Sequence, residues 1–511
     1  MVSAALDEVQ PLSGWKLYLA GFALALANFV VVLDVTIANV SVPHIAGGLA
    51  ISPTQGTWVI TSYSVADAIS VPLTGWLAAR FGTVRWFMLS LIGFGLFSFL
   101  CGVSRSLETL VVFRILQGLS GGPLMPLTQA LLIRIFPKHM TAAAMGLWAM
   151  TTVCAPIAGP ILGGTISDNW SWPWIFFINL PIVGFCIFIA HRMVKPFETP
   201  TARTGIDIVG LILLVVWVGA FQLMLDTGRE NDWFRSSFVI AMAVTAVIGF
   251  AAFVIWELGE ANPIVDIRVF RHLGFTIGTV AVALGFGAFF ASVVLTPLWL
   301  QQVVGYSATE AGYATAFVGV FAVIMAPFAA RLVGKIDLRI SVCAGISWLA
   351  AMSLLRAGWT TDSDFWQLAM PQLLQGIGMP FFFIGLTALA LAAVKPSETT
   401  SAAGIMSFVR TLCGAVGTAM ATTAWDNASR VSRSDMVGRL NGADATMNSL
   451  MAKGMSSDQA RAVLDRLVDA QSATVGAVQV FFYAFAVFMV AAGIVWLAPK
   501  AKGSAAAMSA H

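Results

Sequence analysis

Apolar stretches of the length needed to cross a lipid bilayer recur along nearly the whole chain. A membrane-spanning helix needs about 20 predominantly apolar residues, and segments of this kind alternate here with polar loops. Hydrophobic residues make up 58% of the chain and charged residues only 10%, whereas about 25% of the residues of a typical soluble domain are charged. The sequence therefore predicts an all-α polytopic membrane protein, and the net charge of +3 is too small to suggest nucleic-acid binding.

The apolar stretches predict fourteen membrane helices in three groups. Residues 1–200 form a first half of six helices, residues 201–272 form an inserted pair, and residues 273–511 form a second half of six helices. The predicted helices are 17–40, 55–79, 85–103, 107–135, 141–167, 174–194, 206–226, 236–257, 275–300, 308–333, 339–357, 366–393, 399–426 and 475–498.

Residues 427–474 form the longest predicted loop. Apolar side chains recur in it at helical spacing, among them Met447, Leu450, Leu464 and Leu467. This pattern predicts one or two amphipathic helices outside the membrane. They either pack on themselves or form a docking surface for a partner protein, and the sequence favours neither.

The loop charges predict the orientation of the chain. An even number of helices places both termini on one side of the membrane, and most loop lysines and arginines lie on that side. The short loops opposite carry only Arg105, Arg229 and Arg235. By the positive-inside rule we expect both termini in the cytoplasm.

Asp34 lies within the first apolar stretch. A charge at membrane depth costs about 2.5 to 3.5 kcal/mol on insertion scales, so such a residue usually faces a partner or a water-filled path. Arg114 and Gln117 lie one helical turn apart in the fourth stretch, and a guanidinium there also needs acceptors. We expect Arg114 to pair with Asp34, either in alternation with protonation or as a static structural pair. Asp67 and Arg410 are further charges at membrane depth, with structural pairing as one interpretation of each.

The fifth stretch combines small residues with two prolines. Gly159 and Gly163 recur at a spacing that lets a neighbouring helix approach closely, while Pro156 and Pro160 remove backbone donors and bend the helix. A close, bent contact of this kind suits a helix pair that opens and shuts.

An internal repeat relates the two halves. Leu116-Gln117-Gly118 recurs as Leu374-Gln375-Gly376, and the same shift carries Gly146 to Gly404 and Gly159 to Gly417. Transporter halves are commonly related copies with the substrate path between them. The shift replaces Asp34 by Ser292 and Arg114 by Gln372, so the charged coupling groups lie in the first half.

These stretches resemble the major facilitator superfamily, and within it the fourteen-helix drug:proton antiporters. Residues 33–43 are similar to the first-helix signature of that branch, 114–118 to the fourth-helix motif linked to proton transfer, and 159–164 to the fifth-helix antiporter motif. Residues 75–85 are similar to the superfamily's loop between helices 2 and 3, but Ala79 stands where that loop usually has an acidic residue. This departure leaves open whether the loop has the usual charge relay.

The resemblance implies proton-driven export of hydrophobic or amphipathic drugs across a bacterial inner membrane, with the proton gradient as energy source and no cofactor. It further implies a tripartite pump whose partners are a periplasmic adaptor of the EmrA type and an outer-membrane channel of the TolC type. No nucleotide-binding GxxxxGK[ST] motif is present in the sequence, which is consistent with an ion gradient as the energy source.

The candidate residues fall into four sets by expected role. Proton coupling is assigned to Asp34, Arg114 and Asp67. Substrate contacts are assigned to Asn28, Asn39, Gln117, Gln129, Gln372, Gln375 and Phe383. The antiporter motif comprises Pro156, Gly159, Pro160, Gly163 and Gly164, and the gate loop comprises Gly75, Arg80, Gly82 and Arg85.

Two other functions remain open from the sequence: a metabolite uniporter or importer, and a membrane sensor that binds without transport. An enzyme is not expected, because no Ser/His/Asp or Cys/His arrangement lies at membrane depth. No histidine or cysteine has a partner at metal-ligand spacing, so no metal site is expected.

Overall fold

The fold is taken from a computed structural model of the chain. It describes residues 11–137, 140–201, 205, 207–261, 263–332, 336–395, 398–438 and 443–499. Within these residues the chain forms fourteen long helical segments. They are α1 (Gly14–Gly48), α2 (Trp58–Phe81), α3 (Thr83–Gly102), α4 (Leu107–Ile135), α5 (Thr141–Asn169), α6 (Trp174–Phe197), α7 (Ile208–Gly228), α8 (Ser237–Gly259), α9 (Leu273–Val304), α10 (Ala308–Ala316 and Val318–Leu332), α11 (Leu338–Arg356), α12 (Phe365–Leu391), α13 (Thr399–Gly438) and α14 (Ser457–Val495).

Twelve of these helices, as described, are long and apolar enough to cross a membrane. The other two are α2 and α5. Helix α2 carries Asp67 and several serines and threonines, which make it less apolar. Several side chains of α5 lie outside the described residues. Both nevertheless lie inside the bundle, where α2 packs on α4 and α5 packs on α1. The all-α membrane fold predicted from the sequence is confirmed.

The last two helices are longer than the sequence indicated. Helix α13 continues to Gly438 instead of ending near residue 426, and α14 begins at Ser457 instead of near residue 475. A short helix, Ala443–Ala452, lies between them. Ion pairs from Arg433 to Asp465 and Asp469, at 2.6 and 2.5 Å, join the two extensions. Most of the predicted loop 427–474 is therefore a helical hairpin that prolongs the bundle.

The two halves repeat each other in their helix contacts. Helix α1 packs on α5 as α9 packs on α13, and α2 packs on α4 as α10 packs on α12. A Cβ atom on Gly118 would meet the backbone of α2 near Tyr63, and one on Gly376 would meet the backbone of α10 near Val318. These glycines are equivalent in the sequence repeat, so the repeat corresponds to equivalent close contacts in the fold.

The halves meet along two seams, α5 against α10 and α2 against α13. The inserted helix α7 packs on both α2 and α13, and the Trp217 ring of α7 lies 5.8 Å from the Phe408 ring of α13. At one end of α7, Arg229 forms a two-pronged ion pair with Asp426 of α13, at 2.5 and 3.1 Å. The inserted pair therefore covers the α2–α13 seam.

Candidate functional site

Asp34 is the centre of a buried polar network in the first half. The residue is only 2% exposed, and its carboxylate accepts hydrogen bonds from three side chains on two other helices. Arg114 Nη1 lies 2.6 Å from Oδ2, while Gln117 Nε2 and Asn179 Nδ2 lie 3.0 and 2.7 Å from Oδ1. The carboxylate thus has both a counter-charge and neutral donors, which is the arrangement that makes a buried charge tolerable.

Arg114 is held by groups besides Asp34. Its Nε donates to the Val59 carbonyl at 3.0 Å and its Nη1 donates to Gln117 Oε1 at 2.9 Å. The Tyr63 ring lies 4.2 Å from the guanidinium carbon, a distance typical of a cation–π contact. These contacts hold the guanidinium independently of its ion pair with Asp34.

Asp67, the second acid assigned to proton coupling, lies outside this hydrogen-bonded network. It is half-buried on α2, and no hydrogen bond or ion pair joins its carboxylate to Arg114 in the described part of the chain. Asp34 therefore contacts the Arg114 guanidinium directly, and Asp67 does not.

The glycines of α5 bring that helix against α1, close to Asp34. A Cβ on Gly159 would meet Thr36, including its backbone carbon at 3.0 Å, and a Cβ on Gly163 would lie 3.1 Å from the Ile37 carbonyl. Thr36 Oγ1 also donates to the Ala155 carbonyl at 3.3 Å. Gly164 is buried on the same helix. Pro156 and Pro160 belong to α5 as well, but their side chains lie outside the described residues.

Residues 24–418 match the family description "Major Facilitator Superfamily". The multidrug export protein EmrB of Escherichia coli (strain K12) is 42% identical over 504 residues, which cover 98% of each chain. This chain belongs to the major facilitator superfamily. The fatty acid resistance protein FarB of Neisseria gonorrhoeae is also 42% identical, over 96% of this chain and 98% of its own. The probable multidrug resistance protein EmrY of Escherichia coli (strain K12) is 38% identical, over 96% of each chain.

Membership of the superfamily makes this protein a multi-pass membrane transporter rather than an enzyme. It also confirms the resemblance drawn from the motifs of helices 1, 4 and 5. The buried network is therefore a polar centre inside the first half of a transporter.

The loop between α2 and α3, similar to the superfamily's gate motif, obtains its acid from elsewhere in the chain. Gly82 has a φ of +92°, which favours glycine, and immediately precedes α3. The Glu198 carboxylate, which follows α6, accepts from the backbone N–H groups of Val84 and Arg85, both at 2.9 Å. Arg85 Nε is 3.9 Å from the same carboxylate. Glu198 thus supplies the negative charge that Ala79 lacks.

The other residues of this loop have separate environments. The Arg80 guanidinium lies 5.5 Å from the centroid of the Trp76 ring, and Gly75 is half-buried on α2. Gly82 and Arg85 therefore lie at the turn beside Glu198, and Gly75 and Arg80 lie on the end of α2 before it. Glu198 was not among the predicted residues.

The predicted substrate contacts lie on three helices and have different partners. On α1, Asn28 donates to Thr151 Oγ1 at 3.0 Å, whereas Asn39 is exposed. On α4, Gln117 belongs to the Asp34 network, and Gln129 Nε2 lies 3.8 Å from the Met145 sulfur.

The remaining substrate candidates lie on α12. Gln372 accepts from Arg356 Nη2 at 3.0 Å, and Gln375 is buried. Phe383 packs among other phenylalanines, with its ring 5.0 Å from that of Phe286.

Sequence reasoning missed Asn179 as a member of the site. It is fully buried on α6, donates to Asp34 and also to Ser98 Oγ at 3.0 Å, and Ser98 in turn donates to the Phe176 carbonyl at 2.9 Å. The available signal was an amide inside an otherwise apolar helix. Such a group has to find a hydrogen-bond partner within the bundle.

Proposed function

We propose that this protein is a proton-coupled antiporter that exports hydrophobic or amphipathic drugs. The observation that carries the proposal is the ion pair between Asp34 and Arg114 inside the first half. A buried carboxylate paired with a permanent cation is suited to changing its charge by one proton. The similarity to EmrB, named for multidrug export, and to FarB, named for fatty acid resistance, favours lipophilic or amphipathic cargo.

In the proposed mechanism, proton binding to Asp34 weakens its attraction to Arg114. The carboxylate and the guanidinium come from α1 and α4, so the strength of this attraction biases the packing of those helices. Helix α5, which packs closely on α1 beside Asp34, transmits that bias to α10 of the second half. Drug binding favours the deprotonated state, so that proton and drug exchange through linked equilibria.

The surroundings proposed for this exchange are a bacterial inner membrane with both termini in the cytoplasm. The proton gradient supplies the energy. A tripartite assembly is part of the proposal, with an adaptor of the EmrA type and a channel of the TolC type. With the termini in the cytoplasm, the polar helical hairpin formed by the ends of α13 and α14 extends from the membrane on the opposite side.

The test uses purified protein in liposomes that contain a pH-sensitive dye. Addition of a lipophilic cationic dye is expected to drive proton movement in wild type and not in Asp34→Asn, which keeps the size of the side chain but not its charge. Tyr18→Phe, an exposed change on the same helix, serves as the control for folding. Drug transport by wild type without a proton signal would replace the antiporter by a uniporter.

A matched experiment separates the two acids. Asp67→Asn leaves the ion pair between Asp34 and Arg114 intact, so we expect it to retain drug-triggered proton movement. An Asp67→Asn protein that loses the signal while Asp34→Asn keeps it would transfer the coupling role to Asp67.

A further inference from the structure

A second buried arginine lies where the two halves meet. Arg410 of α13 is 3% exposed. Its guanidinium carbon is 4.8 Å from the centroid of the Trp148 ring and 4.7 Å from that of the Phe286 ring. Trp148 belongs to α5 of the first half and Phe286 to α9 of the second half. The guanidinium is therefore enclosed between aromatic side chains from both halves.

In the part of the chain that the structure describes, Arg410 has no acidic partner of the kind that Arg114 has. Its Nε and Nη1 are buried and make no hydrogen bond, and no ion pair to Arg410 is found among the described residues. A structural pair with an acid was one sequence-based interpretation of Arg410, and the described residues do not supply that acid. The aromatic rings attract the cation through their faces, but they leave the in-plane N–H donors without directed acceptors.

A guanidinium in this state is matched to an oxyanion. It stays charged at any relevant pH and presents its N–H donors in a planar fork, and this fork suits the two oxygens of a carboxylate. Buried polar groups without partners are uncommon in proteins and call for an explanation such as a missing ligand. Two unpaired donors at the seam of a transporter point to a bound anion.

The side chains beside Arg410 suit an apolar body attached to that anion. The Phe286 ring lies 5.2 Å from the Phe382 ring and 5.0 Å from the Phe383 ring, and the Phe289 ring lies 5.7 Å from the Phe383 ring. This phenylalanine cluster forms an aromatic wall next to the cation. Ligand sites commonly combine such apolar walls with a few well-placed polar groups.

We propose that Arg410 binds the carboxylate, or a similar oxyanion, of an amphipathic organic anion whose apolar part packs on the phenylalanine cluster. Trp148 and Phe286 hold the guanidinium in place from the two halves. The proposal rests on the proposed export function and specifies one class of cargo and its site. Because the site contains residues of both halves, the bound anion contacts the seam that changes during transport.

The test compares 2-naphthoate with its neutral isostere 2-naphthamide, by calorimetry on the full chain in detergent micelles. Wild type is expected to bind naphthoate at least roughly 10-fold more tightly, because a hydrogen bond to a charged group is lost with the amide. Arg410→Gln is expected to weaken naphthoate binding roughly 10-fold to 100-fold and to change naphthamide binding by less than about 2-fold. Arg410→Lys keeps the charge without the planar fork, so its affinity for naphthoate is expected to lie between those of wild type and Arg410→Gln.

Arg356→Gln is the matched control. Arg356 is another buried arginine of the second half without an acidic partner among the described residues, but its Nη2 donates to Gln372. We expect this variant to retain the preference for naphthoate over naphthamide.

Equal affinity of wild type for the two ligands, or no binding of either, overturns the proposal without any variant. If Arg410→Gln weakens the binding of naphthoate and naphthamide equally, Arg410 has a purely structural role and the proposal is also overturned. Exchange of protons for a cationic dye is measured separately in liposomes. Proton–dye exchange without a preference for naphthoate over naphthamide would reject the anion site alone. A preference for naphthoate without proton–dye exchange would reject the antiporter alone.

Discussion

Asp34 is supported by donors from two helices that are distant from it in sequence. Arg114 and Gln117 come from α4 and Asn179 from α6, so the carboxylate joins three helices of the first half. Removing one partner of a buried ion pair typically costs about 3 to 5 kcal/mol, because the other charge is left without compensation. The polar network is therefore a structural joint as well as the proposed proton site.

Asn179→Leu tests the structural contribution of the joint. The change keeps a similar side-chain size but removes one donor to Asp34 and the contact with Ser98. We expect the free energy of unfolding to fall by about 1.5 to 3 kcal/mol, the usual contribution of a hydrogen bond to a charged group. Thermal unfolding in detergent measures it, with Asn39→Leu as the exposed control. Equal thermal unfolding midpoints for Asn179→Leu and Asn39→Leu would contradict a structural role of Asn179.

Glu398 offers a pH test outside the membrane-spanning helices. A hydrogen bond with His272 at 2.8 Å, aided by Arg271, lowers the pKa of the Glu398 carboxyl below its ordinary value of 4.5. A lowered pKa in the folded state contributes stability above the unfolded-state pKa and loses it as the pH falls through the folded-state value. Glu398→Gln should therefore lower the unfolding midpoint at pH 7, and the difference from wild type should shrink below pH 4.5. A constant difference would show that ionisation of Glu398 is not its cause.

At the scale of helices, two glycines of α13 differ in how much space surrounds them. A Cβ on Gly417 of α13 would lie 2.6 and 2.7 Å from backbone atoms of Gly287 on α9, whereas a Cβ on Gly404 of the same helix would meet nothing within 4 Å. Gly417→Ala should therefore destabilise the protein by about 1 to 3 kcal/mol through overpacking. Gly404→Ala should be neutral or stabilising by up to about 1 kcal/mol, because alanine favours helix.

Thermal unfolding of the two alanine variants side by side checks this contrast. Both substitutions add one methyl group to α13, so helix propensity alone would give them the same effect. A Gly417→Ala protein as stable as Gly404→Ala would mean that α9 and α13 are not in close contact.

The helices were predictable from sequence to different degrees. A membrane helix is fixed by the length of an apolar stretch, since backbone groups in lipid must be satisfied within the helix. The extensions of α13 and α14 lie beyond the apolar residues, where hydropathy gives no signal. The start of α14, however, has a sequence signal of another kind. Ser456 and Gln459 form a capping box, with Ser456 N donating to Gln459 Oε1 at 2.9 Å. That Ser-x-x-Gln pattern is readable in the sequence.

The site was predictable where physical cost forces a partner. Asp34 and Arg114 are both expensive to bury alone, so their pairing followed from the sequence. Asn179 and Glu198 are less costly and have many possible partners. Their contacts depend on how α6 and the residue after it are placed against α1 and α3, which only the fold determines.

At the scale of the whole molecule, the proposed exchange requires the contact between α5 and α10 to change. Cys154 Sγ lies 3.7 Å from the position of a Cβ on Gly319, so a thiol on that Cβ is within reach of the Cys154 sulfur for an S–S bond of about 2.05 Å. Gly319→Cys should therefore form a disulfide with Cys154 on oxidation and join the halves covalently. We expect oxidation to stop transport in liposomes and a reductant to restore it.

The control for this cross-link is Gly319→Cys combined with Cys154→Ala, which has the new thiol without its partner. Its transport should not respond to oxidation. A cross-linked protein that still transports at the wild-type rate would show that the halves do not move at this seam.

The position of α7 makes the two seams between the halves differ in how they face the lipid. One seam between the halves, α2 against α13, lies beneath α7, whereas α5 and α10 have no such inserted helix packed over them in the described part of the chain. A compound dissolved in the bilayer can reach the interior only by passing between helices. Under the proposed export function, we therefore expect lateral entry from a leaflet on the side opposite α7, where Gly146, Cys154 and Gly312 lie at the contact between the halves.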